Sequence, residues 1–428
     1  MNQVAMEKIL SPPCRFASVA APAPPICVAT AWPPTYVSPM PSVNVRCSCG
    51  KAISVAAEHR GRQIKCRQCG RIMQVPAGRW SLGTRRRVPR RWLTALTALA
   101  WAYLAVVAVL GILLWSLGDV WWPATVLLFL GRWVLLLPLL VLVPAAIVIR
   151  PVVLLPLAAA AVLVAGPVMG FRTGWRRLLP HPGGTHVRVV SFNADGGGRI
   201  APDLALLLAQ WEPDIVALQE CGPELAEATR QQRGWHHHDV RQICFLSRFP
   251  IVGAQVMDRS ALESVNEDEV AGIGGSGDVA RYTVQTPTGL ASVTNLHLET
   301  PRKGLEALVA GKGNLRRLRQ NTELRAIESK LARQWVDSGR GPSLVAGDFN
   351  TPIESRIFQR SWGDFTDAFA RAGFGLGMTK ANGWISVRID HVLTGPGWTA
   401  DAVTLGRSYG SDHRALIVDL TLTAGPVR

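Results

Sequence analysis

The feature that most constrains this chain is a long, almost uncharged stretch from residue 92 to residue 171. Its only charged side chains are Asp119, Arg132 and Arg150. The run 92–118 alone is long enough to cross a hydrocarbon core of about 30 Å. We therefore predict 2–3 transmembrane α-helices, with spans at about 92–118, 124–149 and 151–171. Three spans are favoured over two, because two spans with a re-entrant piece would place an arginine at depth at a cost of a few kcal/mol.

Charge is distributed unevenly around this stretch. Residues 1–92 carry 15 basic and 2 acidic side chains, whereas residues 172–428 carry 29 basic and 27 acidic ones. The arginines between 85 and 91 predict a cytoplasmic N-terminus, so three spans would place the C-terminal part outside the cytoplasm. Arg172, Arg176 and Arg177 weakly favour the opposite orientation. The net charge gives no argument that the C-terminal part binds nucleic acid, and the composition excludes a single soluble domain, a fully disordered chain and a disulfide-dense scaffold.

The first 42 residues are rich in proline, which removes backbone donors and blocks regular structure. We predict a disordered arm at 1–42. Met40 stands just before the first ordered-looking motif, and translation from this position is an expectation that N-terminal sequencing would test.

Two cysteine pairs follow this arm, Cys47-Ser-Cys49-Gly50 and Cys66-Arg-Gln-Cys69-Gly70. They resemble the two knuckles of a zinc ribbon, although the first pair is separated by one residue instead of two. Four thiolates suit tetrahedral Zn²⁺, so residues 43–78 are predicted to form a small domain with a structural zinc. Two disulfides or free thiols remain the alternatives. A four-cysteine site has no open position for chemistry, which favours a structural role or the binding of a protein partner.

From about 186 to 424 the chain has the composition of a soluble α/β domain, with short β-branched runs alternating with helical patterns. Several predicted strands end on carboxylates, amides or imidazoles. In α/β sheets such ends gather side chains into one crevice. This set of oxygen ligands and imidazoles suits a divalent cation and a phosphate. These residues are Asn193, Glu220, His297, Asp348, Asn350, Asp390, Asp412 and His413.

This ordered set resembles the endonuclease/exonuclease/phosphatase superfamily, which includes deoxyribonucleases, sphingomyelinases and phosphatases. The resemblance extends to flanking residues at 214–220, 246–251, 344–350 and 388–392. It implies an α/β fold in which two mixed β-sheets, flanked by helices, form a four-layer sandwich. This domain would follow the zinc ribbon and the transmembrane helices. Cys221 and Cys244 are expected to be packed thiols and not a disulfide.

The resemblance also implies roles for the site residues. Glu220, Asn193 and Asp412 would hold Mg²⁺ or Mn²⁺, and Asp348 would orient or deprotonate the attacking water. The phosphate would be contacted by Asn350, His297 and His413, with Asp390 holding the His413 ring. We therefore predict a multi-pass membrane protein that hydrolyses a phosphoester with a divalent metal. Its substrate would be nucleic acid, a phospholipid or a small phosphodiester. A catalytically inert, membrane-tethered scaffold that binds partners through the zinc ribbon is the alternative.

Overall fold

The computed structural model describes residues 42–77, 88–178, 183–260, 262, 277–309, 315–383 and 385–423. The predicted arm therefore lies outside the described residues, apart from Ser42. The chain separates into two compact units, residues 1–87 and residues 88–428.

The described part of the N-terminal unit consists of two short antiparallel hairpins. Their strands are β1 Ser42–Arg46, β2 Ala52–Ala56, β3 Gln63–Lys65 and β4 Ile72–Gln74. Only three buried apolar side chains form the core of these described residues, Val45, Val55 and Val75. So small a core supplies little hydrophobic stabilisation, and a unit of this kind usually needs an additional cross-link or metal.

The second unit begins with an apolar helical bundle. Its helices are α1 Arg90–Leu117, α2 Trp122–Phe129, α3 Leu137–Ile149 and α4 Leu154–Leu163. Three helical segments are long and apolar enough to cross a membrane, Arg90–Leu117, Arg132–Ile149 and Pro151–Val168. Their outward side chains are aliphatic and exposed, for example Leu140, Val148 and Leu155. A surface of this composition is unfavourable in water and favourable against lipid.

The second predicted span, 124–149, differs from the structure. Residues 124–129 belong to the separate short helix α2, and the long helical segment starts only at Arg132. The cause is the charge of Arg132, which is buried and pairs with Glu354 of the C-terminal part at 3.2 Å. This ion pair holds the start of the segment beside the C-terminal part and separates α2 from it.

Two hydrogen bonds define the direction of the helices in the bundle. Arg150, at the turn between α3 and α4, donates to Thr97 near the start of α1 at 2.9 Å. Trp115, near the end of α1, donates to the carbonyl of Pro167 after α4 at 2.8 Å. Helices α1 and α4 therefore run in the same direction, with α3 antiparallel to both. The chain leaves the bundle at the end opposite to the one where it enters.

The remainder of the second unit is rich in β-structure. Its strands are β5 Arg172–Thr173, β6 Thr185–Gly196, β7 Ile215–Cys221, β8 His236–Val240, β9 Ile243–Ser247, β10 Ile251–Val256, β11 Asp278–Thr286, β12 Gly289–His297, β13 Ser343–Asp348, β14 Thr366–Asp367, β15 Phe374–Gly375, β16 Lys380–Asn382, β17 Ile385–Val387, β18 Asp390–Thr394, β19 Trp398–Leu405 and β20 Leu416–Leu422. Its helices are α5 Leu204–Trp211, α6 Pro223–Arg230, α7 Arg302–Val309, α8 Leu315–Asp337, α9 Arg356–Trp362 and α10 Ala368–Ala372.

Two six-stranded sheets organise these elements. The first has the order β19-β20-β6-β7-β9-β8 and the second β10-β11-β12-β13-β18-β14. Both are mixed, because β6 and β7 are parallel, as are β12 and β13, while their other neighbours are antiparallel. An apolar core lies between the sheets, and helices cover their outer faces through two further cores. The predicted four-layer sandwich is confirmed.

Residues Cys221 and Cys244 form a disulfide between the neighbouring strands β7 and β9. The expectation of two packed thiols is therefore wrong. The antiparallel pairing of the two strands places Leu218 opposite Cys244. The end of β7 lies near this residue, and the Cα atoms of Cys221 and Cys244 are 5.9 Å apart. This separation is typical of disulfides.

Candidate active site

Strand register brings three of the predicted residues into one row. His297 on β12 is paired with Asp348 on β13, and Asp348 is paired with Asp390 on β18. Paired residues on neighbouring strands point to the same face of a sheet, so the three side chains lie side by side. All three are buried. The second sheet therefore presents two carboxylates and an imidazole at one edge of the sandwich.

The first sheet supplies Asn193 and Glu220 to the same place. The side-chain amide of Asn193 donates to Glu220 Oε1 at 2.9 Å and to Asp348 Oδ2 at 3.0 Å. One amide nitrogen thus draws together carboxylates from the two sheets. Asn193 Oδ1 accepts from the backbone N–H of Asp195 at 3.1 Å, so the amide presents its nitrogen to the two carboxylates, and its oxygen would face a metal beside them once the amide turns over.

Two further side-chain amides form hydrogen bonds between the two sheets. Gln219 Nε2 donates to Asn295 Oδ1 at 2.7 Å, and Asn295 donates in turn to the carbonyls of Leu218 and Cys244. Both side chains are fully buried. The sequence analysis did not assign them a role, although Gln219 directly precedes Glu220 and Asn295 lies two residues before His297. Buried amides with these partners fix the separation of the two strand ends.

His413 lies against Asp390, as the resemblance implies. Its Nδ1 is 2.8 Å from Asp390 Oδ2, and its Nε2 is 3.7 Å from Asp348 Oδ2. Burial alone would lower the pKa of His413, but Asp390 and Asp348 outweigh it and raise the pKa to about 9. Ser411 fixes the loop, since its hydroxyl accepts from the backbone N–H of His413 and donates to the carbonyl of Asn193.

Asp348 is the most central of these groups. Its Oδ1 accepts from the backbone N–H of Asn350 at 2.8 Å, and His297 Nε2 lies 3.7 Å from its Oδ2. Burial and the neighbouring Asp390 raise the pKa of Asp348, because both disfavour its negative charge. A cation beside these two carboxylates would relieve that repulsion.

The backbone carrying these residues is unusual. Glu220 has a φ of 49° and Asn350 a φ of 50°, in the left-handed region that non-glycine residues rarely adopt. Gly347, directly before Asp348, has a φ of 151°, and a Cβ there would lie 1.9 Å from the carbonyl oxygen of Leu296. A side chain at this position would push β13 away from β12. Strained conformations of this type are concentrated at functional sites.

Lys380 on β16 is a site residue that the sequence analysis missed. Its Nζ lies 2.7 Å from His413 Nε2 and 2.7 Å from Asp412 Oδ2. Asp412 Oδ1 is 3.6 Å from the same His413 nitrogen. No motif around Lys380 could have identified it, because it reaches the site through a short hairpin that pairs β16 with β17.

The loop after β13 ties the site to the apolar bundle. Arg325 on α8 donates to the carbonyl of Asn350 at 3.0 Å and to Thr351 Oγ1 at 3.1 Å. The same guanidinium donates to Asp119 Oδ1 at 3.1 Å, and the hydroxyl of Ser355 donates to the other oxygen of Asp119. Asp119 stands between α1 and α2, so a residue of the bundle holds the loop that carries Asn350.

The donor set fits a divalent cation with oxygen ligands. Glu220 and Asp348 converge on one amide, and carboxylate and amide oxygens are the ligands that Mg²⁺ and Mn²⁺ prefer. Asp348, Asp390 and His413 also offer ligand atoms that lie within 4.8 Å of one another. Asp412 contacts Lys380 and His413 at the border of this cluster.

The four N-terminal cysteines form a separate cluster. The sulfurs of Cys47 and Cys69 are 3.6 Å apart and those of Cys49 and Cys66 are 3.8 Å apart. Four sulfurs at about 2.3 Å from one zinc would be about 3.8 Å from each other, so the spacing matches a tetrahedral site. Backbone N–H groups of Cys69 and Gln68 lower the pKa of the Cys66 thiol to about 6, whereas the neighbouring Cys47 sulfur raises the pKa of the Cys69 thiol to about 11.

Comparison with known proteins defines the class of the site. The profile of the Endonuclease/Exonuclease/phosphatase family matches residues 190–413, which include every predicted residue of the C-terminal site. The chain belongs to this family of hydrolases that act on phosphoester bonds. No curated protein sequence matches the chain significantly.

Solved structures that are similar to this chain come from animals and bacteria. A D. rerio TDP2 complexed with a single-strand DNA product has 15% identity and a TM-score of 0.42, over 55% of this chain and 99% of that one. An endonuclease/exonuclease/phosphatase from Beutenbergia cavernae has 20% identity and a TM-score of 0.39, over 57% and 73%. The Neisseria 3′ phosphatase NExo has 17% identity and a TM-score of 0.39, over 54% and 98%.

Proposed function

We propose that this protein is a membrane-anchored, divalent-metal-dependent hydrolase that cleaves a phosphodiester by direct attack of water. The observation that carries the proposal is the convergence of the two sheets on Asp348. The residue is paired with His297 and Asp390 in its own sheet and receives a hydrogen bond from Asn193 in the other. A cluster with only a structural role would gain nothing from two adjacent buried carboxylates, because their negative charges repel each other.

In this proposal, Asp348 orients the attacking water and accepts its proton. The water oxygen forms a bond to phosphorus while the bond from phosphorus to the alcohol oxygen breaks, and the departing alkoxide takes up a proton from solvent. The products are a phosphomonoester and an alcohol. His413, held by Asp390, and His297 would contact the non-bridging oxygens, where charge grows during attack.

Lys380 is a further phosphate ligand in this scheme. Lys380 Nζ and His413 Nε2 lie 2.7 Å apart at the edge of the carboxylate cluster. One phosphate oxygen beside them could therefore accept a hydrogen bond from both groups. We therefore expect substrate to bind between Lys380 and His413.

Glu220 would hold the cation, together with Asn193 once its amide has turned over and with Asp412. When bound, a divalent ion supplies positive charge that neutralises the phosphate oxygens and lowers the pKa of a bound water. The chain's own residues position the substrate and take up the proton.

The test uses the full chain purified in detergent, with bis-p-nitrophenyl phosphate as the substrate. We expect turnover with Mg²⁺ or Mn²⁺, loss of turnover with EDTA and recovery when the metal is restored. Asp348→Asn should lower kcat by at least about a hundredfold. Turnover that survives metal removal, or an Asp348→Asn variant as active as the parent, would contradict the mechanism. No turnover of any phosphoester would favour the inert scaffold.

We also propose that the three long apolar helices span a membrane, with the N-terminal unit in the cytoplasm and the hydrolase domain outside it. Arg90, Arg91 and Arg150 lie at the end of the bundle where the chain enters, as the positive-inside rule requires for the cytoplasmic end. The disulfide Cys221–Cys244 supports an oxidising compartment for the domain at the other end. Four clustered thiols support a reducing compartment for the N-terminal unit.

A further inference from the structure

A large cavity opens directly above the site. Its volume is about 840 Å³, and its floor is formed by Glu220, His297, Asp348 and Asn350. A cavity of this size holds a molecule much larger than a phosphate group. The nature of its walls therefore indicates what is attached to the phosphate.

One wall of the cavity comes from the apolar bundle. Val126 and Phe129 of α2, together with Leu130 directly after it, line the cavity. Phe129 is buried in a core with Val387 and Ile389, and its ring lies 5.4 Å from the Arg325 guanidinium. The wall is thus fixed to the hydrolase domain and forms a permanent part of the site.

Further apolar side chains line the same cavity. Leu305 and Leu308 of α7 and Ile385 of β17 line it, and Ile385 is 45% exposed. Exposed aliphatic side chains facing a cavity are stable there only if an apolar ligand covers them. Charged and polar residues also line the cavity, among them Gln242, Thr300, Arg302, Lys303, Glu306 and Lys380.

The apolar wall is continuous with the proposed membrane. Leu130 is 47% exposed, and Trp121 and Trp122, at the start of α2, are 45% and 40% exposed. Exposed tryptophans at the end of a spanning helix are typical of the interface between lipid and water. Helix α2 therefore extends from the level of the lipid headgroups to the residues of the proposed active site.

From these observations we infer that the substrate is an amphiphilic phosphodiester whose aliphatic chain lies along α2 while its phosphate reaches Asp348. This inference rests on the proposed function and adds the substrate class. A nucleic acid would instead need a basic groove, whereas residues 172–428 carry 29 basic and 27 acidic side chains.

Two esters with the same leaving group test this inference, methyl p-nitrophenyl phosphate and octyl p-nitrophenyl phosphate. The full chain in lipid nanodiscs with Mg²⁺ should have a kcat/KM for the octyl ester at least about tenfold higher, because burial of two methylene groups already gives this factor. The octyl ester is used below its micelle-forming concentration.

Matched variants separate binding in the cavity from partitioning into lipid. Leu130→Asn and Ile385→Asn should lower kcat/KM for the octyl ester several-fold more than kcat/KM for the methyl ester. Leu137→Asn is the control for the first variant, because Leu137 has the same 47% exposure in the bundle but does not line the cavity. Ile327→Asn, at 39% exposure on α8, is the control for the second.

Each outcome has a distinct meaning. Equal kcat/KM for the two esters, or an octyl preference that both cavity variants leave intact, would overturn the substrate class while the hydrolase function stands. Faster cleavage of a single-stranded oligonucleotide than of the octyl ester would also overturn it, in favour of nucleic acid. If neither ester is cleaved with metal, the proposed function itself fails.

Discussion

Two buried Asp–His pairs with almost equal separations each take one residue from β18, and only one of the pairs faces the site. Asp390 and His413 are 2.8 Å apart, and Asp367 and His391 are 2.7 Å apart. His391 is the neighbour of Asp390 on β18, so its side chain points to the opposite face of the sheet. The second pair is therefore an internal control for the first.

We predict that Asp390→Asn lowers kcat on bis-p-nitrophenyl phosphate by on the order of a hundredfold, because His413 loses the partner that orients and charges it. Asp367→Asn should leave kcat within about threefold of the parent. Both variants lose a buried charged hydrogen bond, so each should lower thermal stability by a similar amount, about 1–3 kcal/mol. Equal losses of activity in the two variants would show that the effect is one of stability alone.

At the scale of single residues, the sequence identified the residues that belong to short motifs at strand ends, such as Asp348 and His413. It did not identify Lys380, Gln219 or Asn295. The position of Lys380 depends on how a hairpin folds back over the site, and a lysine on a short strand has no local signal. Gln219 and Asn295 act through a bond between sheets, which depends on sheet packing and is not encoded by spacing.

At the scale of elements, the buried contact between Asp119 and Arg325 joins the apolar bundle to the hydrolase domain. Both side chains are almost fully buried. We predict that Asp119→Ala destabilises the full chain by about 3–5 kcal/mol, because it leaves the Arg325 charge buried and unpaired. The loop with Asn350, which Arg325 also holds, should then be less ordered, and kcat should fall.

A double-mutant cycle with Arg325→Met tests this contact, with thermal unfolding and kcat as the measurements. The variant that lacks both charges should recover a substantial part of the stability lost in Asp119→Ala, since no unpaired charge remains buried. Glu306→Ala, which changes an exposed acidic residue of α7, is a control expected to have little effect on stability. Strictly additive losses in the cycle would contradict direct coupling of the two residues.

The cysteine cluster allows an independent prediction at the same scale. The full chain should contain about one equivalent of zinc, measured by elemental analysis, and Cys66→Ser should lose it because a four-thiolate site needs every ligand. Turnover of the methyl ester should be unchanged in this variant, since the cluster belongs to the other compact unit. Zinc content that is the same in Cys66→Ser and in the parent would contradict a zinc site at these cysteines.

The elements were predictable from the sequence to different degrees. Hydropathy predicted three long apolar helices, and alternation of strands and helices indicated an α/β domain. Hydropathy could not predict that residues 122–129 form a separate helix, because Trp122–Phe129 is as apolar as the spans beside it. The division depends on the ion pair of Arg132 with Glu354, which are more than 200 positions apart in the chain.

At the scale of the whole molecule, two kinds of cysteine chemistry support the proposal of two compartments. The six cysteines before residue 92 include the four clustered thiols, and the two after it are joined in a disulfide. Thiolate metal sites persist in reducing compartments and disulfides in oxidising ones. An odd number of spans would place the thiol cluster and the disulfide on opposite sides of the membrane, whereas an even number would place both in the same compartment.

Labelling of intact cells with a membrane-impermeant maleimide tests this arrangement. Thr288, on the exposed turn between β11 and β12, offers a site in the hydrolase domain for Thr288→Cys. We predict that this variant is labelled before lysis, while the parent is labelled only after lysis, because its N-terminal thiols face the cytoplasm and its other two cysteines are oxidised. The opposite result would be labelling of the parent in intact cells, with additional labelling of Thr288→Cys only after lysis. This result would establish the reverse orientation, and the disulfide would then no longer support an oxidising compartment for the hydrolase domain.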